Sequence, residues 1–392
     1  MTLRTVVDLL LRVRYLLMLA LSGVCFAVWY SSRPLDGDWW VFEYGARVIG
    51  HLDGEKYQRL AGGWLHIYAT MPKLQIGPPA LLLAIPSQLL APATSRLAMA
   101  IVLTLSGVAL VAVLERMAVQ ARQARPSNRS VAGMATVGGL LLVPAWDVVA
   151  VRYMHLDDTL VLGLLVTATW AVQRQRWMIL GVVLGTAVAT KPWALAFVVL
   201  IAVLPKRDVI RAAAVTFAAA IVWWLPFVIA DHHTIGNLWN ADSAFSTSST
   251  PALLGLTQAP TGARAIQFAL MLLGAFAAVR CGRWVAAPLI AVAIRLVTDW
   301  QTWGYYGAGL VVAALLIDVS RRDGRWPFVT AAALVAAGLP AWLPVADGNA
   351  AAAARLVLVS ITCALAWRAT QPASATPSEA TGPTLNVLEY ST

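Results

Sequence analysis

Along most of its length the chain alternates long apolar runs with short polar connections. A membrane-crossing helix needs roughly 20 mostly apolar residues. Runs over 15–31, 97–114, 131–149, 159–173, 177–190, 193–205, 211–229, 264–279, 284–299, 303–318, 328–345 and 350–368 approach that length, and they predict about twelve transmembrane helices. The stretch GPPALLLAIPSQLLAPA, 77–93, is also apolar, but Pro78, Pro79, Pro86 and Pro92 would disturb a spanning helix. It is read as a re-entrant or juxtamembrane helix. A helical period appears at Trp39, Phe42, Ala46 and Ile49, with Glu43 and Arg47 spaced i,i+4 on another face. This predicts a short helix lying on the membrane surface rather than crossing it. The fold class is therefore an all-α polytopic membrane protein with juxtamembrane helices in its first outer loop.

Composition agrees. The 392 residues are 59% hydrophobic and only 12% charged, with mean hydropathy +0.71, against roughly 25% charged residues in a soluble domain. A net charge of +10 would suggest nucleic acid in a soluble chain. Here the basic residues fall in short connections between apolar runs, so no nucleic-acid partner is expected. With the N-terminus inside, the clusters Arg12/Arg14, Arg116/Arg122/Arg125/Arg129, Arg174/Arg176, Lys206/Arg207/Arg211, Arg280/Arg283, Arg321/Arg322/Arg325 and Arg368 all fall on the cytoplasmic side. The basic N-terminus lacks a clear cleavage site and is read as a retained first span. Residues 1–368 then form one membrane domain with two long outer loops, 32–96 and 230–263. The tail 369–392, rich in Ser, Thr, Pro and Ala, is expected to be disordered. Cys25, Cys281 and Cys363 have neither metal spacing nor a disulfide framework. No inverted pair of broken helices of the transporter kind is seen.

The candidate chemistry gathers on the outer face. Asp36 and Asp38 precede the surface helix, in PLDGDWWVFEYGARVIG. One aspartate could cap that helix, which accounts for one carboxylate and not for two. As a general base, such a carboxylate would take a proton from a sugar hydroxyl while that hydroxyl attacks an anomeric carbon carrying a lipid phosphate. Direct inverting displacement needs one carboxylate rather than the pair used in hydrolysis. The departing phosphate needs a cation beside it, and the candidates to bind the donor phosphate are the outer cations Lys73, Arg152 and Lys191 and also Arg295, inside a predicted span, where an ionisable residue points to function. Lys191, in TKPWA, either holds a lipid phosphate or snorkels to the interface. His155, Asp157 and Asp158, in MHLDDTL, either cap a helix or accept hydrogen bonds from sugar hydroxyls. Trp300 and Trp303, with Tyr305 and Tyr306, suit sugar stacking or an interfacial belt. The DHH at 231–233 is a polar loop, a substrate contact or a metal pair whose further ligands are not evident. No metal or cofactor is expected.

On the residues DGDWWVFEYGARVIGHLDGEKY and the block from HLDDTLVLGLLVTATW to TKPWALAFVVLIAVLPKRD, the chain resembles the C-type (GT-C) glycosyltransferase superfamily. Within it, the chain is similar to the actinobacterial polyprenol-phosphate-mannose-dependent mannosyltransferases. The resemblance covers roughly 30–210 and implies a GT-C-like bundle. It implies Asp38, or failing that Asp36, as the catalytic base, and a polyprenyl-phosphate sugar, here mannose, as donor. The acceptor would be a glycolipid or glycan, and the setting a bacterial plasma membrane. The rival readings are a transporter or lipid flippase without chemistry, and an arabinofuranosyl or glucosyl transferase of the same shape. Oligomeric state is left open.

Overall fold

The computed structural model describes residues 3–32, 39–50, 63–71, 74–121, 128–239, 246–259, 262–321, 326–342 and 348–371. Among them every regular element is helical. Each predicted apolar run coincides with a helix. The first four are Arg14–Ser32, Pro92–Ala121, Asn128–Asp147 and Leu156–Gln173. Trp177–Thr190, Pro192–Val203, Lys206–Ala230 and Ala263–Arg280 follow. Trp284–Thr298, Gly304–Ser320, Phe328–Trp342 and Gly348–Ala369 complete the set. Among the described residues, six helices are long and apolar enough to cross a membrane, and five more are shorter apolar helices of 10–17 residues. A further helix, Leu3–Arg12, precedes the first span.

Two local features set the frame of the site. Trp177–Thr190 carries Gly181 and Gly185 four residues apart, facing Lys206–Ala230. A Cβ on Gly181 would lie 2.8 Å from the Ala212 carbonyl oxygen, and one on Gly185 would lie 2.4 Å from that of Thr216. Small residues at this spacing let membrane helices approach backbone to backbone. Pro192–Val203 is wound as a 3-10 helix. At about 2.0 Å rise per residue it spans roughly 24 Å where an α-helix of equal length would span roughly 18 Å.

The stretch 77–93 forms a seven-residue helix, Pro78–Ala84, and a 3-10 turn, Ile85–Leu89. Seven residues rise about 10 Å, far short of a bilayer core of about 30 Å. The helix Trp39–Gly50 forms with the expected Glu43–Arg47 ion pair at 3.1 Å. Its apolar stripe differs from expectation. Trp39, Phe42, Ala46 and Ile49 are buried inside the protein, the first two against each other and the helix against Pro78–Ala84. The juxtamembrane helix supplies the apolar partner that the sequence alone assigns to lipid, and Trp40 is left half exposed. The tail from 372 onward lies outside the described residues.

Candidate active site

Leu156–Gln173 and Trp177–Thr190 are antiparallel neighbours joined by the three residues 174–176. A turn that short brings the start of the first helix beside the end of the second. Before it, Asn128–Asp147 runs into a π-helical turn, Val148–Arg152, and Met154 adopts a left-handed backbone with φ 52°. Wide turns and positive φ in a residue with a side chain cluster at functional sites. Here they reverse the chain sharply, and the N–H of His155 bonds back to the Val149 carbonyl at 2.9 Å.

The outcome is a buried charge cluster. Lys191 Nζ lies 2.8 Å from Asp157 Oδ2 and 3.4 Å from Asp158 Oδ2. His155 Nδ1 lies 3.3 Å from Asp157 and 3.4 Å from Asp158. Trp193 Nε1 donates to Asp158 Oδ1 at 3.2 Å. The N-cap position is His155, so both carboxylates lie inside the first turn, where the helix macrodipole favours negative charge, and not at the cap. Burial opposes the Asp157 charge, yet Lys191 and then His155 hold its carboxyl below the ordinary carboxylate range. Burial likewise opposes the Lys191 charge, and the two aspartates hold its ammonium above the usual lysine range.

Arg295 joins the cluster from the next layer. Its guanidinium lies 4.7 Å from the Trp193 ring centroid and 4.1 Å from that of Tyr306, and its Nε is 3.6 Å from Asp299. The Tyr305 ring stacks on His155 at 3.8 Å, with Tyr153 at 5.1 Å and Trp303 at 6.3 Å beyond it. Phe42 of the Trp39–Gly50 helix also meets His155, edge to face at 6.4 Å.

These groups wall a cavity of about 260 Å3. His155, Lys191, Arg295, Trp300 and Trp303 line it, together with Val41, Gln75, Gly77, Arg264, Gln267 and Gln301. Asp157 and Asp158, 0% and 5% exposed, stand behind Lys191 and His155 and are not part of the lining. Gly77 is required where it stands. Its N–H bonds to the Thr190 carbonyl at 3.0 Å, and a Cβ would fall 1.7 Å from the Ala189 carbonyl oxygen. This close approach ties the segment leading into Pro78–Ala84 to the residue before Lys191. The cavity shares Pro192, Trp224 and Phe268 with an apolar groove of about 500 Å3, lined also by Leu195, Ile221, Leu225 and Ile235. Those four side chains are exposed on the flank of the bundle.

The structure thus brings His155, Asp157, Asp158, Lys191, Arg295, Trp300 and Trp303 together. Arg152 stands apart from Lys191. It lines a second cavity that meets the first at Gln301, Trp303 and Tyr306. Asp36, Asp38 and Lys73 lie outside the described residues, although Val41, three residues after Asp38, lines the first cavity. The 231–233 stretch lies elsewhere. Asp231 accepts from the backbone N–H of His233 at 2.9 Å and lies 3.3 Å from His66 Nδ1; these contacts hold its carboxyl down at about 2. The sequence reading missed Arg264, Gln267 and Arg355. Arg264 carried a visible signal, a basic residue in the first turn of a span at the end opposite its basic turn, Arg280/Arg283.

No family model matches the chain, and no curated protein matches it. Among solved structures, the chain is similar to ArnT from Cupriavidus metallidurans in the apo state. The similarity has 14% sequence identity and a TM-score of 0.45, and covers 91% of this chain and 76% of that one. A superposition at that level assigns no residue of the site.

Proposed function

We propose that the protein transfers a sugar from a polyprenyl-phosphate donor to a glycolipid or glycan acceptor at the outer face of a bacterial plasma membrane. The observation that carries this reading is the joining of the polar, aromatic cavity to the exposed apolar groove through Pro192, Trp224 and Phe268. Such a pair of surfaces fits an amphiphile, with its head among cations and rings and its chain along the groove. Lys191 and Arg295, with Arg264 beside them, face the lipid phosphate. Arg264 forms no ion pair with a described carboxylate; its Nη1 reaches only Gln75 at 3.5 Å. Asp157 and Asp158 act behind the wall, fixing Lys191 and His155. Trp303 is exposed and offers a face for a sugar ring, with Trp300 and Tyr305 in the same lining.

The acceptor hydroxyl attacks the anomeric carbon from the side opposite the phosphate. The carbon–oxygen bond to the phosphate breaks, and the phosphate leaves with its lipid as the cations take up its charge. Asp38 is the proposed base that receives the hydroxyl proton, with Asp36 orienting the acceptor. The reaction needs neither metal nor cofactor in this scheme, and mannose is the proposed sugar. Purified full-length protein in nanodiscs, supplied with radiolabelled polyprenyl-phosphate hexoses and membrane lipid acceptors, should form a labelled product with inverted anomeric configuration. Transbilayer movement of the lipid without any transfer would sink this reading and favour a flippase.

A further inference from the structure

The second cavity, of about 400 Å3, is lined by Arg152 and Arg355 and by the hydroxyl groups of Ser246, Ser248 and Thr302. Its two cations lack the compensation found next door. Lys191 has two carboxylates and Arg295 has Asp299, whereas neither Arg152 nor Arg355 forms an ion pair with a described carboxylate. Arg355 Nη1 donates to the Ser248 carbonyl at 2.7 Å. Arg152 makes no hydrogen bond to a described residue. Its Nε is buried without a partner, and its guanidinium lies 4.9 Å from the Trp29 ring centroid and 5.6 Å from that of Tyr153. Each guanidinium offers five N–H donors, and among the described residues the two together make a single hydrogen bond, that of Arg355 to Ser248. Two partly desolvated cations lining one cavity with no described carboxylate paired to either are costly unless a negative group joins them.

The hydroxyl groups add the opposite polarity. Ser246 Oγ and Thr302 Oγ1 are 2.6 Å apart, Ser248 Oγ and Thr302 Oγ1 2.8 Å, and the two serine oxygens 3.0 Å. Three O–H groups suffice to close this triangle, and Ser246 Oγ also accepts from the Ser248 N–H at 3.3 Å, which leaves a lone pair on Ser248 Oγ and one on Thr302 Oγ1 to accept from outside. The cavity therefore donates through its arginines and accepts through its hydroxyl oxygens. That combination matches a phosphoryl group on a hydroxylated carrier, with bidentate guanidinium contacts to the oxyanion. We propose that the second cavity is an oxyanion site for the phosphoryl group of the acceptor, a phosphorylated glycan or glycolipid. The assignment to the acceptor rests on the transferase reading above. The sharing of Gln301, Trp303 and Tyr306 places the bound acceptor against the wall of the donor cavity.

The test is calorimetric titration of the full chain, in nanodiscs of zwitterionic lipid, with glycerol 1-phosphate as probe and glycerol and inorganic phosphate as comparisons. Binding of glycerol 1-phosphate but not glycerol is expected. Arg152→Gln and Arg355→Gln should each weaken it about ten- to hundredfold, and Arg264→Gln in the first cavity should leave it in place. Binding untouched by both Arg152→Gln and Arg355→Gln overturns the site, as does binding abolished by Arg264→Gln alone. Inorganic phosphate binding without glycerol 1-phosphate binding overturns the carrier. A second measurement needs no variant: glycerol 1-phosphate should protect Arg152 and Arg355 of the wild-type protein from phenylglyoxal, mapped by mass spectrometry, and unprotected arginines overturn the site. If the probe binds through these arginines while no polyprenyl-phosphate sugar is ever transferred, the transferase reading fails and the oxyanion site stands.

Discussion

Two neighbouring cavities share the wall formed by Gln301, Trp303 and Tyr306, yet they treat charge in opposite ways. In the first, Lys191 and Arg295 are balanced by Asp157, Asp158 and Asp299 and enclosed by rings, and Arg264 alone of its cations has no described carboxylate. In the second, Arg152 and Arg355 face hydroxyl groups and no described acid. A balanced cluster is held in shape before any ligand arrives, which suits orientation of a sugar head. An unbalanced pair of cations gains most from an incoming anion. In the proposed scheme the cations of the first cavity are thus held in position before the lipid phosphate arrives, whereas those of the second gain their order with the anion.

The largest effect is expected where the two substrates react. Asp38→Asn preserves size and capping ability but cannot take the hydroxyl proton, so turnover should fall by about 10²–10⁴ with glycerol 1-phosphate binding retained. Asp36→Asn should cost less. Near-normal transfer by Asp38→Asn would remove it as the base. Next comes the contrast in stability. Lys191→Ala strands two buried carboxylates, and breaking a buried pair in this way costs roughly 3–5 kcal/mol, to be read by chemical unfolding in detergent. Arg355→Gln strands no described acid and should lose far less; equal losses in the two variants would break the comparison.

Gly77→Ala comes third. The added Cβ meets Ala189 backbone, which cannot swing aside like a flexible side chain. Overpacking of this kind costs about 1–3 kcal/mol, and should weaken donor binding by displacing Lys191 more than it weakens glycerol 1-phosphate binding. Acid dependence comes fourth. The Asp157 carboxyl sits below its ordinary value in the folded protein, so its contribution is complete above the unfolded value of about 4 and is lost as pH falls below it. The Lys191 ammonium sits above its ordinary value, so its contribution persists until strongly alkaline pH. Unfolding midpoints should drop below about pH 4, and Asp157→Asn should flatten that drop. A variant equally acid-sensitive would place the effect elsewhere. The smallest change is expected outside both cavities: Glu43→Gln removes an i,i+4 pair worth about 0.3–0.5 kcal/mol and should leave phosphate binding unaltered.

The helical fold was legible because membrane helices announce themselves by length and apolarity. All twelve predicted runs became helices, and the proline-rich 77–93 formed only the short elements Pro78–Ala84 and Ile85–Leu89 ahead of the helix from Pro92. The Trp39–Gly50 stripe gave the right helix and the wrong neighbour, since periodicity identifies an apolar face without saying whether lipid or protein covers it. Part of the charge cluster was within reach too. Two apolar runs separated by Arg174–Arg176 must form a hairpin, so Asp157 and Lys191 had to lie side by side at its open end. Treating each outer segment alone hid that pairing.

The sequence by itself determined an all-helical membrane chain with its candidate site residues at the helix ends opposite the basic turns, because hydrophobic length and charge placement are local properties. Only the tertiary structure decided which of those ends meet. It set Arg295 between Trp193 and Tyr306, and assembled the second cavity from Arg152, Ser246, Ser248, Thr302 and Arg355, segments separated by up to two hundred residues. The physical reason is that packing angles between helices, and close approaches such as that of Gly77 to Ala189, are properties of paired surfaces, which no single segment carries.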